Sequence, residues 1–454
     1  MDDKLRILTK GVFFKGFSTF FVVLSSLFIS VILNRTYGKE LYGYLILVFS
    51  ITSFFVALVD IGTRQTINRF IPRYLEKKES RNVKSLLTSS FVILGIALFI
   101  FSSLIFCYSK IIAINIFKKP DLYPLLKIGA LFFIAVSLSE FFSEIFQALQ
   151  DWKKEIVVSM GYPILYLSLT CIAIFLLKWK IDSVIWANFI ASILIASIAI
   201  KFIKKNFIAK ITKEEFKHHA RTIFSFGLPV VLMNLNFYLL MWFDKMVLGR
   251  FHSAATLTDY YIAFIFFNAL MIFFKVLFVV FRPYFSGLSI YLDNKGLIKE
   301  RFQLLFRWFM HSSVLAGIMS FFLIAPVIRL FYGTGYQSSI IAFRLLLIIF
   351  FMRSMVQPVG IFMINVFGNT KRSAILSTIR IAVIIFFDIL LIPHYGYKGA
   401  ILAISIGYLV WWSLIFVFFK QFIYIFCYSS LLKTVAVSCF LIFTYLAINH
   451  LVPI

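Results

Sequence analysis

Runs of about twenty predominantly apolar residues, the length that crosses a bilayer as a helix, recur throughout this chain. They lie at 11–33, 43–63, 85–108, 124–149, 156–177, 182–203, 222–243, 259–281, 302–325, 340–366, 373–392 and 399–419. A further apolar run at 431–449 is a candidate thirteenth. Hydrocarbon offers a backbone no hydrogen-bond partner, so each run must satisfy its own amides, and α-helices do that. Hydrophobic types make up 61% of the 454 residues and charged types 14%. That leaves too few polar side chains to cover a water-facing surface. A soluble enzyme, a secreted disulfide scaffold and a disordered chain are excluded. The expected class is an all-α polytopic membrane protein with twelve core spans.

The net charge of +26 would suggest nucleic acid in a soluble protein. Here Lys and Arg fall between the apolar runs and alternate in density, the positive-inside pattern. No nucleic-acid partner is expected. With the N-terminus in the cytoplasm (Lys4, Arg6, Lys10, Lys15), the connections on its side include Arg64–Lys84 and Lys201–Arg221. They carry more than twice the positive charges of the opposite side, with Arg380 counted among them. The first apolar run is too long for a cleaved leader and lacks its small-residue cleavage site. Cys107, Cys171, Cys427 and Cys439 show neither metal nor disulfide spacing, and no metal or cofactor is expected.

The longest internal connection, 204–221, falls near the middle of the chain. Thr212 with Glu215 reads as a capping box that starts a short helix at Lys213 along the inner membrane surface. The expected organisation is a six-helix lobe at 1–203, a linker at 204–221, a second six-helix lobe at 222–420 and an apolar tail at 421–454. The lobes resemble each other. VILNRTYG at 31–38 matches MVLGRFHS at 246–253; RFIPRY at 69–74 matches VFRPYF at 280–285; FQALQDWKKE at 146–155 matches INVFGNTKRS at 364–373. Copies of six helices keep their orientation, so pseudo-two-fold symmetry about the membrane normal is expected, with a cavity between the halves.

Ionisable groups at bilayer depth are costly and face a cavity or a partner. Lys275 sits mid-span, with Asn268 two turns away on its face. Arg353 is central in its span, with Gln357 one turn on. Neither has an acidic residue within a turn, so a cavity role is favoured over pairing with Glu140, Glu144 or Asp388 on other helices. Glu140 and Glu144 form a polar stripe with Ser137, Gln147 and Asp151. That stripe is a proton or cation site or the wet wall of a vestibule. Asp60 with Arg64, and Asp244 with Lys245, lie at span ends. They read as interfacial anchors, gates or entry points. Catalytic motifs such as G-x-S-x-G, a Walker A loop and H-E-x-x-H are absent from the sequence, and no enzymatic activity is expected.

Several segments taken in order resemble the Wzx-type polysaccharide flippases of the MOP superfamily, relatives of the MATE multidrug exporters. They include NRTYGKELYGYLILVFSITSFFVALVDIG at 34–62, RFIPRYL at 69–75, FSFGLPVVL at 224–232 and FDKMVLGRF at 243–251. Further on come RPYFSGLS at 282–289, LFYGTGYQSSIIAFRLL at 330–346, VFGNTKRS at 366–373 and LLIPHYGYKGAILA at 390–403. The resemblance implies two lobes with alternating access, driven by an ion gradient or the membrane potential. A monomer is expected because the cavity lies within one chain, set in the bacterial cytoplasmic membrane, with a polysaccharide polymerase as a partner. The cargo that the resemblance implies is an undecaprenyl-diphosphate-linked oligosaccharide, moved from the inner to the outer leaflet. In that frame Lys275 and Arg353 would hold the diphosphate headgroup. Two alternatives are a multidrug cation antiporter and a membrane-embedded glycan-modifying enzyme. The first favours an acidic or aromatic cavity, whereas both lone deep charges are basic. The second favours large polar outer loops, and the outer loops here are short.

Overall fold

The apolar runs become helices whose ends fall where polar and left-handed residues interrupt them. In a computed structural model, which describes residues 2–203, 211–288, 295–365 and 370–418, twelve α-helices follow one another. They are α1 Asp2–Val59, α2 Thr63–Glu76, α3 Ser80–Ile111, α4 Leu122–Ala148, α5 Trp152–Cys171 and α6 Asp182–Ile203. The second series is α7 Lys213–Phe251, α8 Ala254–Leu288, α9 Lys295–Tyr332, α10 Gln337–Asn365, α11 Thr370–Tyr395 and α12 Tyr397–Phe418. No strand occurs among the described residues. The candidate span at 431–449 lies outside them.

Among the described residues, ten stretches are long and apolar enough to cross a membrane. The first, Phe20–Val59, has 40 residues, about 60 Å of helix and twice a bilayer's hydrocarbon thickness. Gly38 breaks it with φ 77° and ψ 175°, a conformation that L side chains resist. The stretch therefore overlaps both spans expected at 11–33 and 43–63. Many large side chains are exposed, among them Phe99, Trp308, Phe322 and Leu330. In water such a surface would aggregate; in lipid it is the solvent-facing side.

The helices form two compact units, residues 1–258 and 259–454. In the first, α1 packs on α4, α5 and α7, and α4 packs on α3 and α6. Phe133, Phe141 and Phe146 of α4 are fully buried there. In the second unit α9 packs on α10, α10 on α12, and α11 forms a close hairpin with α12. Phe302, Phe306 and Phe309 of α9 and Phe350 of α10 fill its core. The sequence placed α7 at the head of the second lobe. In the structure its packing partners are α1, α2 and α3. The two six-helix lobes stand as a proposed duplication.

Thr212 and Glu215 make the expected capping box. The Thr212 hydroxyl accepts from the Glu215 amide at 3.2 Å, and the Glu215 carboxylate accepts from the Thr212 amide at 2.9 Å. The helix they open is not short, however: it runs on without a break as the 39-residue α7. Its first turns dock on α3. The Arg81 guanidinium donates to Glu215 at 2.7 Å. This bond, with the amide of Thr212, holds the Glu215 carboxyl down at about 2. Beside it, the buried His219 ring hydrogen-bonds the Ser85 hydroxyl at 2.8 Å.

Burial first, and the neighbouring His218 second, depress the His219 pKa, while Glu215 opposes them. As the pH falls through about 6.5, the unfolded chain takes up a proton that the docked ring resists. Stability of this contact is therefore flat above that value and declines below it. We expect the protection factors of the amides at 213–222, which remove the slowing of intrinsic exchange at lower pH, to fall between pH 7.5 and 5.5 in the native protein and not in His219→Gln. An equal fall in both proteins would refute the assignment to His219.

Candidate functional site

The first charged cluster lies wholly within the first unit. The α1–α2 corner positions it, because Gly62 takes a left-handed turn (φ 80°) that sets Asp60 and Arg64 one helical turn apart. Asp60 is only 1% exposed. Its carboxylate accepts from the Thr63 hydroxyl at 3.1 Å, the Arg64 amide at 3.0 Å and the Asn234 side chain of α7 at 3.2 Å. The Arg64 guanidinium reaches Asp60 at 3.2 Å and donates through its other arm to Glu140 of α4. Tyr238 of α7 lies within electrostatic reach of Arg64. One turn along α4, Glu144 accepts from Asn68 of α2. The α1–α2 corner, α4 and α7 thus meet at this cluster.

Beside it lies a cavity of about 10 Å³ lined by Asp60, Arg64, Ser137 and Glu140, room for a single water. The Ser137 hydroxyl there is buried without a hydrogen-bond partner. Asp60, Glu140 and Glu144 gather around Arg64, and carboxylates so grouped are of the kind that could hold a proton or small cation.

The structure therefore joins residues that the sequence kept apart, with Asp60 and Arg64 at a span end and the Glu140/Glu144 stripe in mid-span. The pairing across helices has no local signal; only the i, i+4 spacing within α4 was legible. Asp244 and Lys245 also lie in the first unit, and both are buried; Lys245 is 0% exposed. The ammonium binds the Asp244 carboxylate at 3.0 Å and donates to the Met241 carbonyl at 2.7 Å.

The second cluster lies in the second unit. Arg353 is half-buried in the middle of α10, with Gln357 one turn on, also half-buried. Arg380 stands well inside α11, although the sequence counted it with the inner-edge positives. Its guanidinium carbon is 5.0 Å from the centroid of the Tyr408 ring of α12. Its Nε is buried without an acceptor. Arg353 and Arg380 are within electrostatic reach of each other. Asp388 is buried in α11 and Asn268 half-buried in α8. Lys275 belongs to α8, where its side chain lies outside the described ones. Arg380 is the residue sequence reasoning passed over. Its signal was there: it sits well inside the apolar run 373–392.

A family model described as "polysaccharide biosynthesis protein" matches residues 8–289. No curated protein matches the chain by sequence. Among solved structures, the chain is similar to an inward-facing multidrug resistance MATE family transporter of the MOP superfamily. The TM-score there is 0.71 at 15% identity, covering 92% of this chain and 95% of the other. It is also similar to the lipid II flippase MurJ in an inward closed conformation, with TM-score 0.69, 20% identity and 96% and 93% coverage. A MOP superfamily transporter from Pyrococcus furiosus, described as having a binding pocket of reverse polarity, gives 0.63 at 14% identity, with 94% and 96% coverage. The fold is thus that of the MOP transporters. With a family model over more than half its length, this multi-pass membrane protein belongs to the polysaccharide biosynthesis protein family.

Proposed function

We propose that the protein moves undecaprenyl-diphosphate-linked oligosaccharide from the inner to the outer leaflet of a bacterial cytoplasmic membrane. It acts as a monomer with its N-terminus in the cytoplasm, by alternating access between two six-helix halves. The fold does not choose the cargo, since its structural relatives include both a multidrug transporter and a lipid II flippase. The family description favours polysaccharide.

The observation that carries the reading is Arg353, a permanent positive charge mid-way along an apolar helix, with no ion-pair partner among the described residues. A cation in that position lowers the cost of bringing a diphosphate headgroup into hydrocarbon. Lys275, Asn268 and Gln357 would contribute to the same polar path. The Asp60–Arg64–Glu140 cluster, with Glu144 beside it, would hold the coupling proton or cation, and Asp388 is a second candidate for that role. The grouped carboxylates of that cluster favour the second reading, an organic-cation antiporter.

The test is a strain lacking this gene with glycan synthesis intact. A diphosphate-linked oligosaccharide should accumulate on the inner leaflet while surface polysaccharide is lost, and the intact gene should reverse both. Normal surface polysaccharide together with new sensitivity to cationic drugs would replace this reading with the antiporter.

A further inference from the structure

Arginine keeps its proton in every protein environment, so two arginines brought together within a membrane need a counter-charge. Arg353 and Arg380 stand on packed neighbours, α10 and α11. Each lies roughly three turns into its helix from the 366–369 connection, about 15–18 Å at 1.5 Å per residue. They are therefore level with each other in depth, and they are within electrostatic reach. Among the described residues neither makes an ion pair with a carboxylate. The buried acid of the same helix, Asp388, stands two turns beyond Arg380, about 12 Å along the axis.

The Tyr408 ring fixes Arg380 further. A guanidinium held against an aromatic face keeps its N–H edge open in its own plane, and that edge matches two oxygens of a phosphate. The Nε of Arg380 belongs to the edge and is buried without an acceptor.

We propose that Arg353 and Arg380, the latter held on Tyr408, form a binding site for a two-phosphate anion, the diphosphate of a polyprenyl carrier. This rests on the flippase reading and assigns Arg380 to it. Two forks on adjacent helices can each take one phosphate, whereas a monophosphate occupies one fork and leaves the other charge unmatched.

The experiment uses the full chain in phosphatidylcholine nanodiscs and calorimetric titration. Farnesyl diphosphate, farnesyl monophosphate and inorganic pyrophosphate are the probes. The native protein should bind the diphosphate at least about tenfold more tightly than the monophosphate, the worth of one charge-assisted contact. Arg380→Gln and Arg353→Gln should each remove most of that preference, and Arg380→Lys should keep only part of it. Pyrophosphate binding as tightly as the prenyl diphosphate would assign recognition to the anion alone; weaker binding would add the lipid tail.

Equal affinity of the native protein for diphosphate and monophosphate would overturn the site, as would a full preference retained in folded Arg380→Gln. The preference is read on the unaltered protein, so it tests the site even where a variant fails to fold. Preference for diphosphate in a protein whose deletion accumulates no lipid-linked glycan would sink the transport reading and leave the site standing. Accumulation without that preference would do the reverse.

Discussion

Replacing Arg64 with alanine is expected to cost the first unit about 3–5 kcal/mol, the range for removing one partner of a buried ion pair. The loss falls on Asp60 far more than on Glu140. The Asp60 side chain is 1% exposed and that of Glu140 37%, so water can take over Glu140 but not Asp60. Asn234 and Thr63 would still donate to Asp60, which places the effect toward the lower end of the range. Thermal unfolding in detergent, followed by size exclusion, should show a marked drop for Arg64→Ala. Arg64→Lys should recover part of the loss, because one ammonium cannot fork to two carboxylates. The double variant Asp60→Asn/Arg64→Met should lie closer to the native protein than Arg64→Ala does. A single variant as stable as the native protein would show that the guanidinium does not neutralise Asp60.

The second large effect is expected at Gly227. The α1–α2 corner rests directly on α7 at this point, glycine against glycine. A Cβ at Gly227 would meet the Ile61 carbonyl oxygen and the Gly62 Cα, and a Cβ at Gly62 would meet the Gly227 backbone. Backbone cannot rotate aside as a side chain can. Gly62 also holds a left-handed conformation, which costs an L residue about 1–2 kcal/mol. Gly227→Val should therefore exceed the usual overpacking cost of about 1–3 kcal/mol, and several-fold less folded protein should reach the membrane. Gly360→Ala is the control. Its nearest neighbour, the Trp411 ring, is 3.9 Å from the added carbon, so abundance should hold or rise with the better helix propensity. Normal abundance of Gly227→Val would mean that the corner and α7 can separate at little cost.

The contrast between these sites explains what the sequence could and could not reveal. Apolar run length reports whether a segment can cross a bilayer, and among the described residues every expected core span but 222–243 overlaps a stretch able to do so. Cap chemistry is local, so Thr212–Glu215 was readable, although the length of the helix behind it was not. Which helix faces which is decided by packing between distant segments. Asp60 therefore looked interfacial until α4 and α7 closed over it. Lys245 likewise stands at the end of an apolar run, and only the structure shows how deeply it is buried. Arg380 was read as topology because charge counting treats every cation near a boundary alike. Its ring partner Tyr408 lies on a different helix, beyond any periodicity argument.

The helices α3 and α5 end in the same way. Each widens into one π-turn, at Ile112–Ile116 and Ile172–Leu176, and each then passes through a left-handed lysine, Lys118 and Lys178. The chain returns in both cases after a backbone bond across the turn, from the Lys119 amide to the Ala113 carbonyl and from the Trp179 amide to the Ala173 carbonyl. Those bonds come from residues only a few positions apart, so each turn can close as soon as it leaves the ribosome. The pairs α3–α4 and α5–α6 can thus enter the bilayer as preformed hairpins, with their tips already satisfied. Assembly of the first unit then becomes the docking of finished pairs, with the long-range charge cluster completed only when α7 is synthesised.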